Sequence, residues 1–349
     1  MTVIGTRPQF IKMAMVSSAL RPAGIKEIVI HTGQHYDKNL SGIFFKELGI
    51  NRPRYNLGVG SAQRSLQIRR MASGIKKILI SERPDLVLVY GDTNSTAAGA
   101  LAASRLGLPV AHVEAGLRSF NGKMAEEKNR IIADSLAGLL FCPTKIAVDN
   151  LKKEGICRGV YLTGDVMYDS IKRKLRGLGP ATEKTPYILC TIHRAENTDN
   201  IGNLREIFKG LGALEERVIL PLHPRTSKYL GRYGIAAGSN IKIIKPTGYS
   251  KMLNLERYAK LIITDSGGVQ KEAFILGIPC VTIRDNTEWL ESVRNGMNLL
   301  AKAKEKDIIS AVKKMYKVER RPMPRDTYGN GSAFEMIVKI LSKYLRKPR

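Results

Sequence analysis

Short apolar runs recur along the whole chain, separated by longer stretches whose apolar residues repeat with helical spacing. In the first half the runs are residues 2–5, 27–32, 86–90, 109–113, 139–143 and 160–163, and stretches such as 10–20, 66–82 and 95–106 lie between them. Strand, helix and strand in this alternation predict a parallel sheet covered by helices on both faces. Residues 170–186 are polar, basic and broken by Gly177, Gly179, Pro180 and Pro186, which is the composition of a linker. The pattern then restarts, with strands expected at 187–191, 218–222, 241–245, 261–264 and 280–283.

The expectation is therefore an α/β protein of two Rossmann-like, doubly wound domains facing a central cleft. Residues 1–169 form the first, 170–331 the second, and 332–349 a C-terminal amphipathic helix packed back on the first. Ligands of such sheets bind beyond the carboxyl ends of the strands.

Composition narrows the function classes. The 349 residues carry 57 Lys+Arg against 31 Asp+Glu, a formal charge of +26. That excess invites a nucleic-acid reading, but the basic residues are spread from Arg7 to Arg349. Aromatics make up 6% and no nucleic-acid-binding fingerprint interleaves them. Nucleic acid is not an expected partner. No apolar run approaches the 18–20 residues, roughly, of a membrane span, so no membrane insertion is expected. Four cysteines without C-x-x-C spacing fit a reducing, cytoplasmic setting and no zinc site.

Polar and glycine-rich clusters stand directly after the expected strands. Gly5-Thr6-Arg7-Pro8-Gln9, with Lys12 one turn on, suits an anion at a helix N-terminus, or is a plain strand-to-helix turn. Asp265-Ser266-Gly267-Gly268 lets the backbone approach a phosphate closely. Glu272, one turn later, suits ribose hydroxyls or is a solvent-facing helix residue. Asp92, Glu114 and the pair Glu126-Glu127, with Arg118 and Arg130 nearby in sequence, can supply an acid and a base at one carbon. Taken singly, Asp92 is equally a helix cap and Glu126 and Glu127 helix-starting residues. His193 beside Arg194, and His223, follow second-half strands and suit phosphate. His31 and His35 straddle a strand end and share no helical face, so no metal site is expected. The G-x-G-x-x-G and G-x-x-x-x-G-K-[ST] fingerprints are absent, and no D-x-D occurs.

The runs GTRPQFIKMAMV, VYGDTNSTAAGALAA, PVAHVEAGLRSFNGKMAEEKNR, TIHRAENTD, PLHPRT and LIITDSGGVQKEAFILGIPCVTIRDNTEW resemble the non-hydrolysing UDP-N-acetylglucosamine 2-epimerase family, in its order and spacing, from Gly5 to about residue 300. The resemblance implies the glycosyltransferase-B architecture, a homodimer, and interconversion of UDP-GlcNAc and UDP-ManNAc without any cofactor, supplying ManNAc-type sugars for cell-surface polysaccharide. The family eliminates UDP to a bound 2-acetamidoglucal and adds it back. Carried over by motif, Asp92, Glu114 and Glu126 are acid/base or oxocarbenium-stabilising residues, and His193 with Arg7 stabilises departing UDP. Ser266, Gly267 and Gly268 cradle phosphate, and Glu272 holds ribose. Lys12, His35, Arg118, Arg130 and His223 complete the substrate contacts. TGQHYDKN, RSFN and TEW are similar to the branch acting on UDP-2,3-diacetamido-2,3-dideoxyglucuronate, whose carboxylate would ask for an extra cation such as Lys123 or Arg284. Tyr36-Asp37 after Gln34-His35 departs from the pattern linked to activation by a second UDP-GlcNAc. A hydrolysing relative, a glycosyltransferase of the same architecture and a basic nucleic-acid-binding protein are the alternatives.

Overall fold

The structure is a computed structural model that describes residues 1–34, 49–50 and 52–346. The chain forms two compact units, Met1–Arg173 with Arg325–Arg349, and Lys174–Pro324. In the first, the elements run β1 Thr2–Ile4, α1 Arg7–Leu20, β2 Val29–His31, β3 Tyr55–Asn56, α2 Arg64–Glu82, β4 Val87–Tyr90, α3 Asn94–Ser104, β5 Val110–Val113, α4 Ala125–Leu136, β6 Leu139–Cys142, α5 Lys145–Lys153, β7 Val160–Leu162 and α6 Val166–Leu175. The strands pair in parallel in the order β3-β2-β1-β4-β5-β6-β7.

The second unit runs β8 Ile188–Thr191, α7 Ala195–Thr198, α8 Ile201–Gly212, β9 Val218–Pro221, α9 Pro224–Tyr233, β10 Ile241–Ile244, α10 Tyr249–Tyr258, β11 Leu261–Thr264, α11 Gly267–Ile275, β12 Cys280–Ile283, α12 Leu290–Arg294, β13 Asn298–Ala301 and α13 Glu305–Met315. Its sheet is also parallel, in the order β10-β9-β8-β11-β12-β13. The chain then returns to the first unit, where α14 Ala333–Leu345 ends the described structure.

Each sheet is covered on both faces, which is why its strands read as unbroken apolar runs. Alternate residues of β4 divide between two cores: Val87 and Val89 pack with Val3, Met71 and Ile75, while Leu88 and Tyr90 pack with Ile4, Phe10 and Met13. Ala333, Ile337, Val338 and Leu341 of α14 complete the second of these cores. In the other unit Cys190, Ile263 and Val281 face one core, and Leu189, Ile262 and Cys280 the other. α3 lies close on its sheet because Gly99 has no side chain; a Cβ there would stand 2.9 Å from Val89 Cγ1 and 3.2 Å from Val3 Cβ.

The fold class is the one expected, with three differences of detail. Strands β3 and β13 were not anticipated. Tyr55–Asn56 spans two residues, and Asn298–Ala301 is half-exposed in the middle, so neither shows the full apolar run of a central strand. The segment 170–186 is not a linker throughout, because α6 continues to Leu175. Asp165 Oδ1 accepts the Met167 N–H at 2.6 Å at the start of this helix, and buried Met167 and Ile171, four apart, anchor it while its polar end continues to Leu175. Cys142, Cys190 and Cys280 are buried free thiols and Cys157 is exposed. Among the described residues no helix is long and apolar enough to cross a membrane.

Candidate active site

Sheet order decides which loops meet. In the first unit the topological switch lies between β1 and β4, and the carboxyl ends of β1, β4 and β5 bring Gly5–Arg7, Gly91-Asp92 and Glu114 to one edge. Gln9 ties the first two together. Its Oε1 accepts the N–H groups of Gly5 and Thr6 at 2.8 and 3.1 Å, and its Nε2 donates to Tyr90 O and Thr96 Oγ1 at 2.8 and 3.0 Å. Arg7 opens α1, leaving Lys12 buried one turn further along.

Lys12 Nζ donates to Glu114 Oε2, an ion pair only 8% and 10% exposed at its side chains. Glu114 stands in the left-handed region at φ 73, where a side chain is uncommon. Gly91 lies against this pair: a Cβ at Gly91 would be 3.1 Å from Glu114 Oε2 and 3.4 Å from Lys12 Nζ. Next to it, Asp92 accepts from Nη2 of Arg130, a fully buried guanidinium. The helix cap of α3 is Thr93, so Asp92 is not capping. Asn129 Nδ2 donates to Asp92 O at 2.9 Å and fixes the turn from α4.

The two glutamates that open α4 divide. Glu127 is buried, accepts from Arg130 Nη1 at 3.0 Å, and takes the Ser119 N–H, the Ser119 hydroxyl and the Phe120 N–H at 2.9, 2.8 and 3.1 Å. It holds the preceding loop in place. Glu126 is half-buried in the first helical turn. Arg118 does not join Asp92 and Glu114. Its guanidinium is buried, bonded to Asp134 Oδ2 at 2.7 Å and to both oxygens of Glu154 at 2.6 and 2.7 Å. Burial works against its charge, but Glu154 and Asp134 outweigh that and raise its pKa. Proximity in sequence was the wrong guide, since the chain turns between Arg118 and Arg130.

In the second unit the switch lies between β8 and β11. Asp265, fully buried, follows β11 and accepts the His193 N–H at 3.1 Å, the Arg194 N–H at 2.9 Å and Asn197 Nδ2 at 3.0 Å. His193 Nδ1 is 3.5 Å from Asp265 Oδ1, and its half-exposed ring lies 5.3 Å from that of His223. His223 Nδ1 accepts the Arg225 N–H at 3.1 Å, capping α9.

Ser266 caps α11, with its hydroxyl accepting the Val269 N–H at 3.4 Å and its own N–H bonded to Thr264 Oγ1 at 2.9 Å. The first turn is Gly267-Gly268, a helix N-terminus whose own residues carry no side chain. Glu272 is buried, which removes the solvent-facing alternative for it. Arg284, buried, pairs with Glu288 at 3.0 Å, and a Cβ on Gly267 would lie 2.5 Å from Glu288 Oε1. Lys123 is exposed. His35 lies outside the described residues, and no group of three or more potential metal ligands occurs among those described.

Sequence reasoning named Gln9 and Glu127 but not their roles, the tie from Gln9 to Tyr90 and the hold of Glu127 on the 119–120 loop, and it passed over Asn197 and the role of Asp265 in holding His193. Asp265 was visible as the first residue of the glycine-rich cluster, but its partners lie about 70 positions earlier.

Two Rossmann-like units with carboxylates at one switch point and a serine-capped, glycine-led helix at the other define a nucleotide-sugar enzyme of glycosyltransferase-B type. The sequence pattern of the UDP-N-acetylglucosamine 2-epimerase family matches residues 18–342, and the chain belongs to that family. It is 48% identical to a UDP-N-acetylglucosamine 2-epimerase homolog of Methanococcus maripaludis, over 97% of this chain and 98% of that one. It is 45% identical to the UDP-2,3-diacetamido-2,3-dideoxy-D-glucuronate 2-epimerase of Pseudomonas aeruginosa, over 98% and 99%. The crystal structure of Methanocaldococcus jannaschii UDP-GlcNAc 2-epimerase, in complex with UDP-GlcNAc and UDP, superimposes with a TM-score of 0.93 at 42% identity, covering 98% of this chain and 99% of that one.

Proposed function

We propose that this chain interconverts UDP-N-acetylglucosamine and UDP-N-acetylmannosamine by removing and re-adding UDP. The observation that carries the reading is the pair of carboxylates at one strand edge, Glu114 on Lys12 and Asp92 on Arg130, each opposed by a buried cation. A base takes the proton from carbon 2 while the bond from carbon 1 to the diphosphate oxygen breaks, leaving a glycal with a double bond between those carbons. Return of a proton to the opposite face of carbon 2, and of the diphosphate oxygen to carbon 1, gives the epimer. Atoms and charge balance with UDP alone as leaving group and nucleophile.

In this reading the labour is divided. Asp92, Glu114 and Glu126 serve as acid, base and charge stabiliser on the sugar, with Lys12 and Arg130 fixing the first two. His193, His223 and Arg7 neutralise departing UDP, Ser266, Gly267 and Gly268 take phosphate, and Glu272 takes ribose. Arg118 has its guanidinium committed to acids of its own unit and contributes through the fold. The chain is proposed to act as a cytoplasmic homodimer, which sedimentation of the purified protein would test.

Incubation with UDP-GlcNAc in D2O should place deuterium on carbon 2 and produce UDP-ManNAc. No exchange with that substrate, but exchange with the diacetamido-glucuronate analogue, would transfer the activity to the specificity of the Pseudomonas relative. Sustained release of free UDP would indicate a hydrolase, and turnover only with an added acceptor a glycosyltransferase.

A further inference from the structure

One buried group stands behind the carboxylate edge and has no part in the mechanism above. His112 lies in β5, two residues before Glu114, and is 0% exposed. Its Nδ1 is 2.7 Å from Asp134 Oδ1, and its Nε2 is 2.7 Å from the carbonyl oxygen of Gly91. A neutral imidazole carries one N–H, and its other nitrogen presents a lone pair. With oxygen acceptors at both ends, one contact would be a lone pair aimed at a lone pair at hydrogen-bond distance.

We infer that His112 is a buried imidazolium, donating from both ring nitrogens, and that it is a positioning residue for Asp92 and Glu114. The inference rests on the epimerase reading for its consequence, but the protonation state is a property of the folded chain alone.

The surroundings compensate the charge. Asp134 of α4 also accepts the Gly116 N–H at 3.1 Å and Arg118 Nη1 at 2.7 Å on its other oxygen. Burial tends to raise the Asp134 pKa, but His112 and Arg118 more than reverse that and hold it below the usual carboxylate range. Asp134 Oδ2 already accepts two donors and Oδ1 faces Nδ1, so the carboxylate acts as an acceptor throughout and the shared proton belongs to the ring. Arg118 in turn pairs with Glu154 at the end of α5, so two cations meet two anions. On the β6 side the Cys142 thiol is pushed up by burial and stays neutral.

Gly91 is consequently gripped at both of its peptide groups. Its N–H donates to Val113 O at 2.9 Å and its carbonyl accepts from His112, while its φ of 60 turns the chain toward Asp92. The residues at either side of this clasp are Asp92, next after Gly91, and Glu114, next after Val113. Loss of the Nε2 donor frees the carbonyl to rotate and with it the first catalytic carboxylate. Displacement of a reacting group by about 1 Å is enough for losses on the order of a hundredfold.

The experiment is nitrogen-15 NMR of the full chain labelled at histidine, at about pH 8, alongside kinetics of His112→Gln. One ring is expected to show two slowly exchanging N–H protons, where His31, also buried, accepts the Gly33 N–H at Nδ1 and can show only one. In His112→Gln that two-proton signal should vanish, with kcat down roughly tenfold or more and UDP affinity unchanged. No ring with both protons in the wild-type protein, or a wild-type kcat in a folded His112→Gln, overturns the inference; should that variant fail to fold, the wild-type spectrum still decides. Failure of the epimerase reading is seen separately, as absent deuterium exchange in the wild-type enzyme.

Discussion

Asp92 and Glu114 sit at the ends of adjacent strands, each against a buried cation, so their chemistry can be removed without removing their volume. Asp92→Asn and Glu114→Gln should each lower turnover by about two to four orders of magnitude, the usual range for a lost acid or base, while UDP binding measured by calorimetry stays near wild type. Gly91→Ala tests the same place sterically. Its φ of 60 disfavours a side chain, and the added Cβ would press on Glu114 and Lys12. Its stability is expected to fall by about 1 kcal/mol with a much larger loss of kcat, read from a melting curve and an initial-rate assay. Asp265→Ala leaves the N–H groups of His193 and Arg194 without their acceptor. Roughly 2–4 kcal/mol of stability should be lost, with weakened UDP binding, visible in denaturant unfolding and titration calorimetry. The types and positions of these residues were legible in the sequence because each follows an apolar run. Their partners were not: Lys12 and Glu114 are 102 positions apart, and only the strand order joins them.

At the scale of elements, alternation of apolar runs and helical spacing located most strands to within a residue or two. It failed where the pattern is weak, at β3 and β13, and where a charged sequence continues a helix, at α6. That helix carries an acid whose environment matters. Asp169 Oδ2 accepts the Phe334 N–H at 2.8 Å at the start of α14, and Oδ1 is buried without a hydrogen-bond partner among the described residues. Burial raises its pKa from 3.8 to about 6, with the Phe334 bond opposing. Because the folded state holds this proton more tightly than the unfolded one, the stabilisation it gives is complete below about pH 4 and is lost as the pH rises through about 6. Asp169→Asn keeps an acceptor for Phe334 without the buried charge. Its stability relative to wild type should improve by about 2–3 kcal/mol between pH 4 and pH 8, measured by urea unfolding at the two pH values.

For the whole molecule, the charge of +26 is not consumed at the site, since each internal ion pair removes one charge of each sign. The excess remains on solvated surface, as on α13 and the turn after it, where Lys306, Lys313 and Lys314 of the helix and Lys317 beyond it line one concavity. A surface of this sign draws an anionic sugar nucleotide toward the protein, and salt screens that pull within about 10 Å at 0.1 M. kcat/KM for a UDP-sugar should therefore fall several-fold between about 20 and 500 mM NaCl, with kcat little changed. A flat response in initial-rate measurements would place the excess away from the path of approach. The interruption of the first unit by the second has a different consequence, for the order of events during synthesis. The stretch from Lys174 to Pro324 is continuous and can condense as soon as it leaves the ribosome, whereas the sheet that began to emerge earlier still lacks Ile337 and Leu341. The half that carries the carboxylates is first to be translated and last to be finished, and in the interval the apolar face awaiting α14 is exposed to chaperones and to other nascent chains.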